Sequence, residues 1–299
     1  MKVLDCTLRD GGYLNDWNFS IPFGQAVYEH VSKAGASFVE LGFLYPQSHH
    51  SGYFRKMNKE KVAEIKNGYM GAPICLMVDQ GKCQPDLPPV DETDVDIIRV
   101  AVHKPNITDA IKTCQRIKEE LGYETSLQMM NYRRYRFEEV VDLFDNKAQE
   151  NVDYVSVADS FGSMMPPEVQ RGITLLSGLG MTAGFHGHDN INMAFINSLE
   201  AVEAGAEIVD ATLGGIGRGA GNLKLELLIG YYALTQQDYK IEPLLDLLDE
   251  YVDEFLTCGI LERPEYVVSG LLNLHPNSVR QDRDNGLMYS DIWEKYIYE

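Results

Sequence analysis

Apolar and polar positions follow two rhythms along this chain. Short runs rich in β-branched residues, KVLDCT, SFVELGF, ICLMVD, DIIRVAV, TSLQMM, YVSVAD, TAGFHGH and EIVDATL, read as strands. Between them lie stretches such as GQAVYEHVSKAG, ITDAIKTCQRIKEELG, RFEEVVDLFDNKAQ, PEVQRGITLLSGLG and NMAFINSLEAVEAGA, which read as amphipathic helices. Several of these end in glycine, as helix C-termini prefer. Strands alternating with helices predict parallel strands joined by crossovers. Eight such units in about 230 residues point to a closed (β/α)8 TIM barrel, an α/β fold, rather than an open doubly wound sheet.

One unit departs from the rhythm. QGKCQPDLPPVDETD, between the third and fourth strands, carries three prolines and predicts a short or irregular crossover. Beyond the eighth unit, IEPLLDLLDEYVDEFLTCG keeps a helical spacing and the chain closes on DIWEKYIYE. No linker or low-complexity run sets this tail apart. The expected organisation is therefore a barrel over residues 1–235 and a C-terminal helical extension over residues 236–299. The tail would pack on the barrel or form a subunit contact, and a homodimer is the expected assembly.

Composition narrows the partners. The chain has 299 residues, 44% of them hydrophobic, and its 26 basic against 45 acidic residues leave a net charge of -19. Such a charge repels polyanions, so neither nucleic acid nor an anionic membrane is expected. An anionic substrate would have to be drawn in by local positive charge. The five cysteines, Cys6, Cys75, Cys83, Cys114 and Cys258, are odd in number and form no C-x-x-C pair, so no disulfide framework or zinc knuckle is expected. No leader-like or membrane-spanning apolar run is seen, and a reducing cytoplasm is the expected compartment.

The chemistry of a barrel of this kind is expected at the carboxyl ends of its strands. The first strand is expected to end in Arg9 and Asp10 of TLRDGG. The seventh ends in HGHDN, where His186 and His188 stand two apart and so point the same way. Strands seven, eight and one become neighbours when the barrel closes, which lets both histidines and Asp10 converge on one ion as a two-histidine, one-carboxylate set. Either histidine alone would more ordinarily be a hydrogen-bonded surface or core residue. The eighth strand leads into GGIGRGAGN, with five glycines in nine residues and with Arg218 and Asn222 among them. This stretch is either a flexible connector or a loop whose backbone approaches an anion closely. Further candidates are Glu40 on the second strand, His103 on the fourth, and Asp159 and Ser160 on the sixth. Arg133, Arg134 and Arg136 in NYRRYR are either carboxylate or phosphate contacts or a plain basic helix start.

TLRDGG, HGHDN and the GxGxGAGN pattern, in this order on these strands, resemble the DRE-TIM metallolyase superfamily. That group includes hydroxymethylglutaryl-CoA lyase, isopropylmalate synthase and 4-hydroxy-2-oxovalerate aldolase. The resemblance covers about residues 3 to 235. It implies that Asp10, His186 and His188 bind a divalent metal, Mn2+ or Mg2+. It places Asn222 near the metal or substrate, and gives Arg9 the role of stabilising an enolate oxygen. The lyases acting on hydroxymethylglutaryl-CoA need a cysteine in the glycine-rich loop, which is missing here. The acyl-CoA synthases carry an acidic residue soon after the arginine-aspartate pair, where this chain reads Gly11, Gly12 and Tyr13.

The expected activity is thus that of a metal-dependent aldolase-type lyase acting on a 2-oxo acid and an aldehyde. A Claisen-type acyl-CoA condensing enzyme and a non-catalytic metabolite-binding barrel are the alternatives. The oxovalerate aldolases place a histidine base where this chain has Tyr13, which leaves Tyr13 and His103 as candidate bases. Glu40, Asp159, Ser160, Arg218 and Asn222 are the expected substrate contacts.

Overall fold

The computed structural model describes residues 1–44, 52–81, 88–144, 151–235, 238–257, 268, 271–272, 274 and 276–297. Cys83, Cys258 and the last residues of RFEEVVDLFDNKAQ lie outside these. Strands β1 (Lys2–Asp5), β2 (Phe38–Phe43), β3 (Ile74–Asp79), β4 (Ile97–His103), β5 (Glu124–Met130), β6 (Tyr154–Asp159), β7 (Thr182–Gly187) and β8 (Ile208–Ala211) each overlap one of the expected runs, with β4 and β5 reaching one residue beyond theirs. They pair in parallel in chain order and β1 closes on β8, so the chain is a (β/α)8 barrel.

The strands are wrapped by α2 (Ile21–Lys33), α3 (Lys59–Lys66), α4 (Ile107–Leu121), α5 (Phe137–Phe144), α6 (Pro166–Gly178), α7 (Ala194–Glu203) and α8 (Leu225–Ala233). Helix α2 starts where the Ser20 hydroxyl accepts the Phe23 amide at 3.3 Å, and it buries Phe23, Val27, Tyr28 and Val31. Only Val62 and Ile65 of α3 are buried, which is why no apolar period announces that helix. The proline-rich crossover after β3 holds, among the described residues, only a 3-10 turn at Val90–Glu92.

The first strand differs from expectation. It stops at Asp5, and Thr7–Asp10 folds into a helical turn, α1, closed by the Asp10 amide on the Cys6 carbonyl at 2.8 Å. The Asp5 carboxylate accepts both the Thr7 amide and the Thr7 hydroxyl, which bends the chain there. Arg9 and Asp10 are therefore not the last residues of a strand. In a strand, adjacent side chains diverge to opposite faces. In the turn they meet, with Arg9 Nη1 2.9 Å from Asp10 Oδ1.

Alternate residues of each strand fill the barrel interior in layers. Leu4, Cys6, Phe38, Cys75, Ile97 and Ile208 make an apolar floor. Above it lies a charged layer, and above that the mouth. Past α8, helix α9 (Glu242–Glu250) buries Leu244, Leu245, Leu247 and Leu248 and leads into α10 (Val252–Thr257). The Phe23 ring of α2 lies 5.3 Å from Tyr251 and 5.6 Å from Phe255, and His30 Nδ1 lies 2.8 Å from the Pro243 carbonyl. Among the described residues no helix is long and apolar enough to cross a membrane.

Candidate active site at the barrel mouth

The charged layer is organised by a residue with no role in the sequence reading, Arg99 of β4. Its side chain is fully buried and reaches three strands at once. Nη1 meets Glu40 Oε2 of β2 at 2.9 Å, and Nη2 meets both Gln128 Oε1 of β5 at 2.9 Å and Asp210 Oδ2 of β8. Glu40 Oε2 also accepts Arg9 Nε at 2.7 Å. Glu40 thus lies beneath Arg9 and positions it, without lining the mouth. Burial pushes the Asp210 carboxyl up, but the Arg99 charge and His186 more than reverse this and hold it at about 2. The visible signal in the sequence was a charge in the middle of an otherwise apolar strand, in DIIRVAV and again in EIVDATL.

This layer orients the histidines. His186 Nδ1 is 3.0 Å from Asp210 Oδ2, and His188 Nδ1 is 3.2 Å from the Gly221 carbonyl. A ring N–H donated to each acceptor leaves the Nε2 lone pair of both rings for another partner, the arrangement seen behind metal-binding histidines. His186 Nε2 lies 3.7 Å from Asp10 Oδ2. Ligand atoms of Asp10, His186 and His188 all fall within 4.8 Å of one another. Burial holds the His188 imidazole down at about 4, against the pull of Asp10, so it is neutral at pH 7. Burial raises the Asp10 carboxyl, but Arg9 and the two histidines outweigh it and leave it ionised, at about 2.

Two further observations fit a cation. Asn222 donates through Nδ2 to Asp10 Oδ2 and to the Ile216 carbonyl at 3.1 Å, while its buried Oδ1 has no partner among the described residues. The buried charges are also unequal, since the Arg9 and Arg99 guanidiniums face the carboxylates of Asp10, Glu40 and Asp210. Cys6, His186 and Asp210 also group closely. That trio fits less well. Asp210 Oδ2 already accepts Arg99 and His186, and burial keeps the Cys6 thiol protonated by raising it well above its ordinary value.

The glycine-rich loop comes close to the residues beside it at two of its glycines. A Cβ on Gly217 would collide with the Asn222 amide group and sit 3.0 Å from Asp10 Oδ2. Gly221, at φ +92°, turns its carbonyl to His188. These glycines let the loop close over Asp10, His186 and His188.

The mouth is a small cavity of about 50 Å³ that opens to solvent. Arg9, Asp10, Tyr13, Ser160, His186, His188 and Arg218 line it, together with Asp79. Arg218 Nη2 donates to the Ser160 carbonyl at 2.7 Å. Tyr13 packs edge-on against Trp17 at 4.7 Å, and burial pushes its phenol above the usual value. Asp159 stands apart from the cavity, with its carboxylate accepting the Ser163 and Met164 amides at 2.9 and 3.0 Å, which fixes the loop before α6. His103 is exposed and does not line the cavity. It shares the inward parity of Arg99 and Ala101, but it lies two residues beyond the mouth. Arg133 and Arg136 pair with Glu168 and Glu139 on the outer face, and line a second cleft beside α5 and α6.

Comparison with known proteins agrees with this geometry. The sequence profile of the HMGL-like family matches residues 89–249, more than half of the chain. A 4-hydroxy-2-oxovalerate aldolase of Moorella thermoacetica is 29% identical over 289 residues, spanning 92% of this chain and 81% of its own length. An oxaloacetate decarboxylase of Mycobacterium tuberculosis is 29% identical over 245 residues, spanning 76% and 68%. The crystal structure of the N-terminal domain of a candidate aldolase from Bacteroides vulgatus superposes with a TM-score of 0.74 at 27% identity, covering 99% of this chain and 100% of that one.

Proposed function

The chain belongs to the HMGL-like family, and we propose that it is a divalent-metal-dependent lyase that forms or cleaves a carbon–carbon bond next to a 2-oxo acid. One observation carries this reading. Two histidines, each held through Nδ1, offer ligand atoms that group within 4.8 Å of an ionised Asp10, with the Arg9 guanidinium alongside. Asp10, His186 and His188 would hold Mn2+ or Mg2+, with the Asn222 oxygen beside them. Bound there, the ion would polarise the 2-oxo carbonyl as a Lewis acid.

The protein's own residues supply the rest. Arg9 is fixed by Glu40 through Nε and by Asp10 through Nη1. Its remaining nitrogen is a preorganised donor for the oxygen on which negative charge grows as the enolate forms. Arg218 adds positive charge at the rim for a substrate carboxylate, against the repulsion of an acidic chain. Ser160, its hydroxyl held by the Asn131 amide at 2.8 Å, marks the opposite wall. In the same reading residues 1–235 carry the chemistry, and among the described residues of the C-terminal extension α9, Tyr251 and Phe255 pack on α2.

The relationship to an oxaloacetate decarboxylase favours a second reaction at this site, loss of carbon dioxide from a 2-oxo acid. It generates the same enolate, so Arg9 would serve both. The test is exchange of the methyl protons of pyruvate with deuterated water in the presence of Mn2+. Exchange above the protein-free rate is expected. A fully metal-loaded protein that exchanges no 2-oxo acid would overturn the proposal.

A further inference from the structure

Resting on the lyase reading above, we propose that Asp79 at the end of β3 is the catalytic base, taking the proton from a substrate hydroxyl two carbons from the 2-oxo group. Among the described residues, the carboxylates lining the mouth are Asp10 and Asp79. Asp10 is committed to Arg9, Asn222 and the histidines. The other candidate proton acceptors lie elsewhere or are poor bases: His103 is outside the cavity and Glu40 is sealed beneath Arg9. The phenol of Tyr13 is pushed upward and stays protonated at neutral pH.

Asp79 is placed by the barrel's own periodicity. Cys75, Met77 and Asp79 alternate inward along β3, from floor to charged layer to mouth. Its carboxylate is steadied by Arg55, whose guanidinium stacks 3.8 Å from the Phe43 ring centre and 4.4 Å from that of Trp17, with Nη2 3.6 Å from Asp79 Oδ2. Arg55 is a positioning residue.

In the cleavage direction the Asp79 carboxylate accepts the hydroxyl proton, and the O–H electron pair becomes the carbonyl bond of the departing aldehyde. The carbon–carbon bond breaks, and its electron pair passes into the 2-oxo group as an enolate whose charge faces Arg9. Water then supplies a proton to the enolate carbon, and Asp79 returns its own proton to water. Loss of carbon dioxide from the C4 carboxylate of oxaloacetate sends the C3–C4 bond pair into the 2-oxo group and reaches the same enolate, without any hydroxyl to deprotonate.

That difference gives the test. In the Mn2+-loaded protein, Asp79→Asn is expected to lower kcat for cleavage of 4-hydroxy-2-oxopentanoate by about 10²-fold or more, with decarboxylation of oxaloacetate affected far less and metal content unchanged. Asp79→Glu should recover part of the cleavage. In the metal-free protein, Asp79→Leu should erase any calorimetric preference for 4-hydroxy-2-oxopentanoate over 2-oxopentanoate. Equal losses in cleavage and decarboxylation, or cleavage at the wild-type rate in Asp79→Asn, would overturn the assignment of Asp79 alone. A wild-type protein inert in cleavage, decarboxylation and exchange sinks the lyase reading, and this assignment with it.

Discussion

Asp10 and Arg9 are neighbours in the chain with separable tasks. In the proposed site Asp10 offers charge and a ligand oxygen, so its removal, or that of His186, would take one of three proposed protein ligands from a rim that the apolar floor does not depend on. Asp10→Ala and His186→Ala are therefore expected to lose bound metal on dialysis while keeping the far-ultraviolet dichroism of the parent. Retention of full metal stoichiometry in both would disprove the ligand set. Arg9→Lys should instead keep the metal. A lysine cannot reproduce the fork that bonds Glu40 and Asp10 and still addresses a substrate oxygen, and kcat is expected to fall on the order of 10²–10³-fold. Near-normal turnover in this variant would make Arg9 structural. The arginine-aspartate pair, the histidine pair and Asn222 stand out as motifs in the sequence. Arg99, Asp210 and Asp79 carry no motif, and only the inward parity of their strands brings them into one column.

At the scale of elements, the two turns that meet over the barrel are as specific as the strands. The α1 turn brings Arg9 and Asp10 to the same side, and the glycine-rich loop descends close enough for Asn222 to bond Asp10. A methyl group on Gly217 occupies the space of the Asn222 amide. Gly217→Ala is expected to displace that amide and weaken metal binding about 10-fold or more, as loss of a supporting partner does, with little change in Tm because the loop lies at the rim. Metal titration followed by calorimetry measures this, and unchanged affinity would show that Asn222 is not needed to orient Asp10. The loop is conspicuous in the sequence for its glycines, but what it approaches depends on where strands β1 and β8 lie, which local pattern does not encode.

For the molecule as a whole, the buried charges set a dependence of stability on pH. Burial raises the Asp5 carboxyl to about 7, partly opposed by its bonds to Thr7. A carboxyl raised in the folded state contributes stability that is fully present below its unfolded value, about 3.9, and is lost as pH rises through about 7. The gap corresponds to on the order of 4 kcal/mol. Asp5→Asn, which has no proton to lose, should therefore gain in Tm relative to the parent between pH 5 and pH 8.5, and a difference independent of pH would rule Asp5 out as the titrating group. Strand number and order were legible in the sequence, because hydrophobic periodicity is local and a parallel barrel repeats it eight times. The exposure of His103 and the presence of Asp79 at the mouth were decided only by the closed barrel. Each depends on how far along its strand a residue stands relative to residues more than fifty positions away, and barrel register, not local sequence, sets that height.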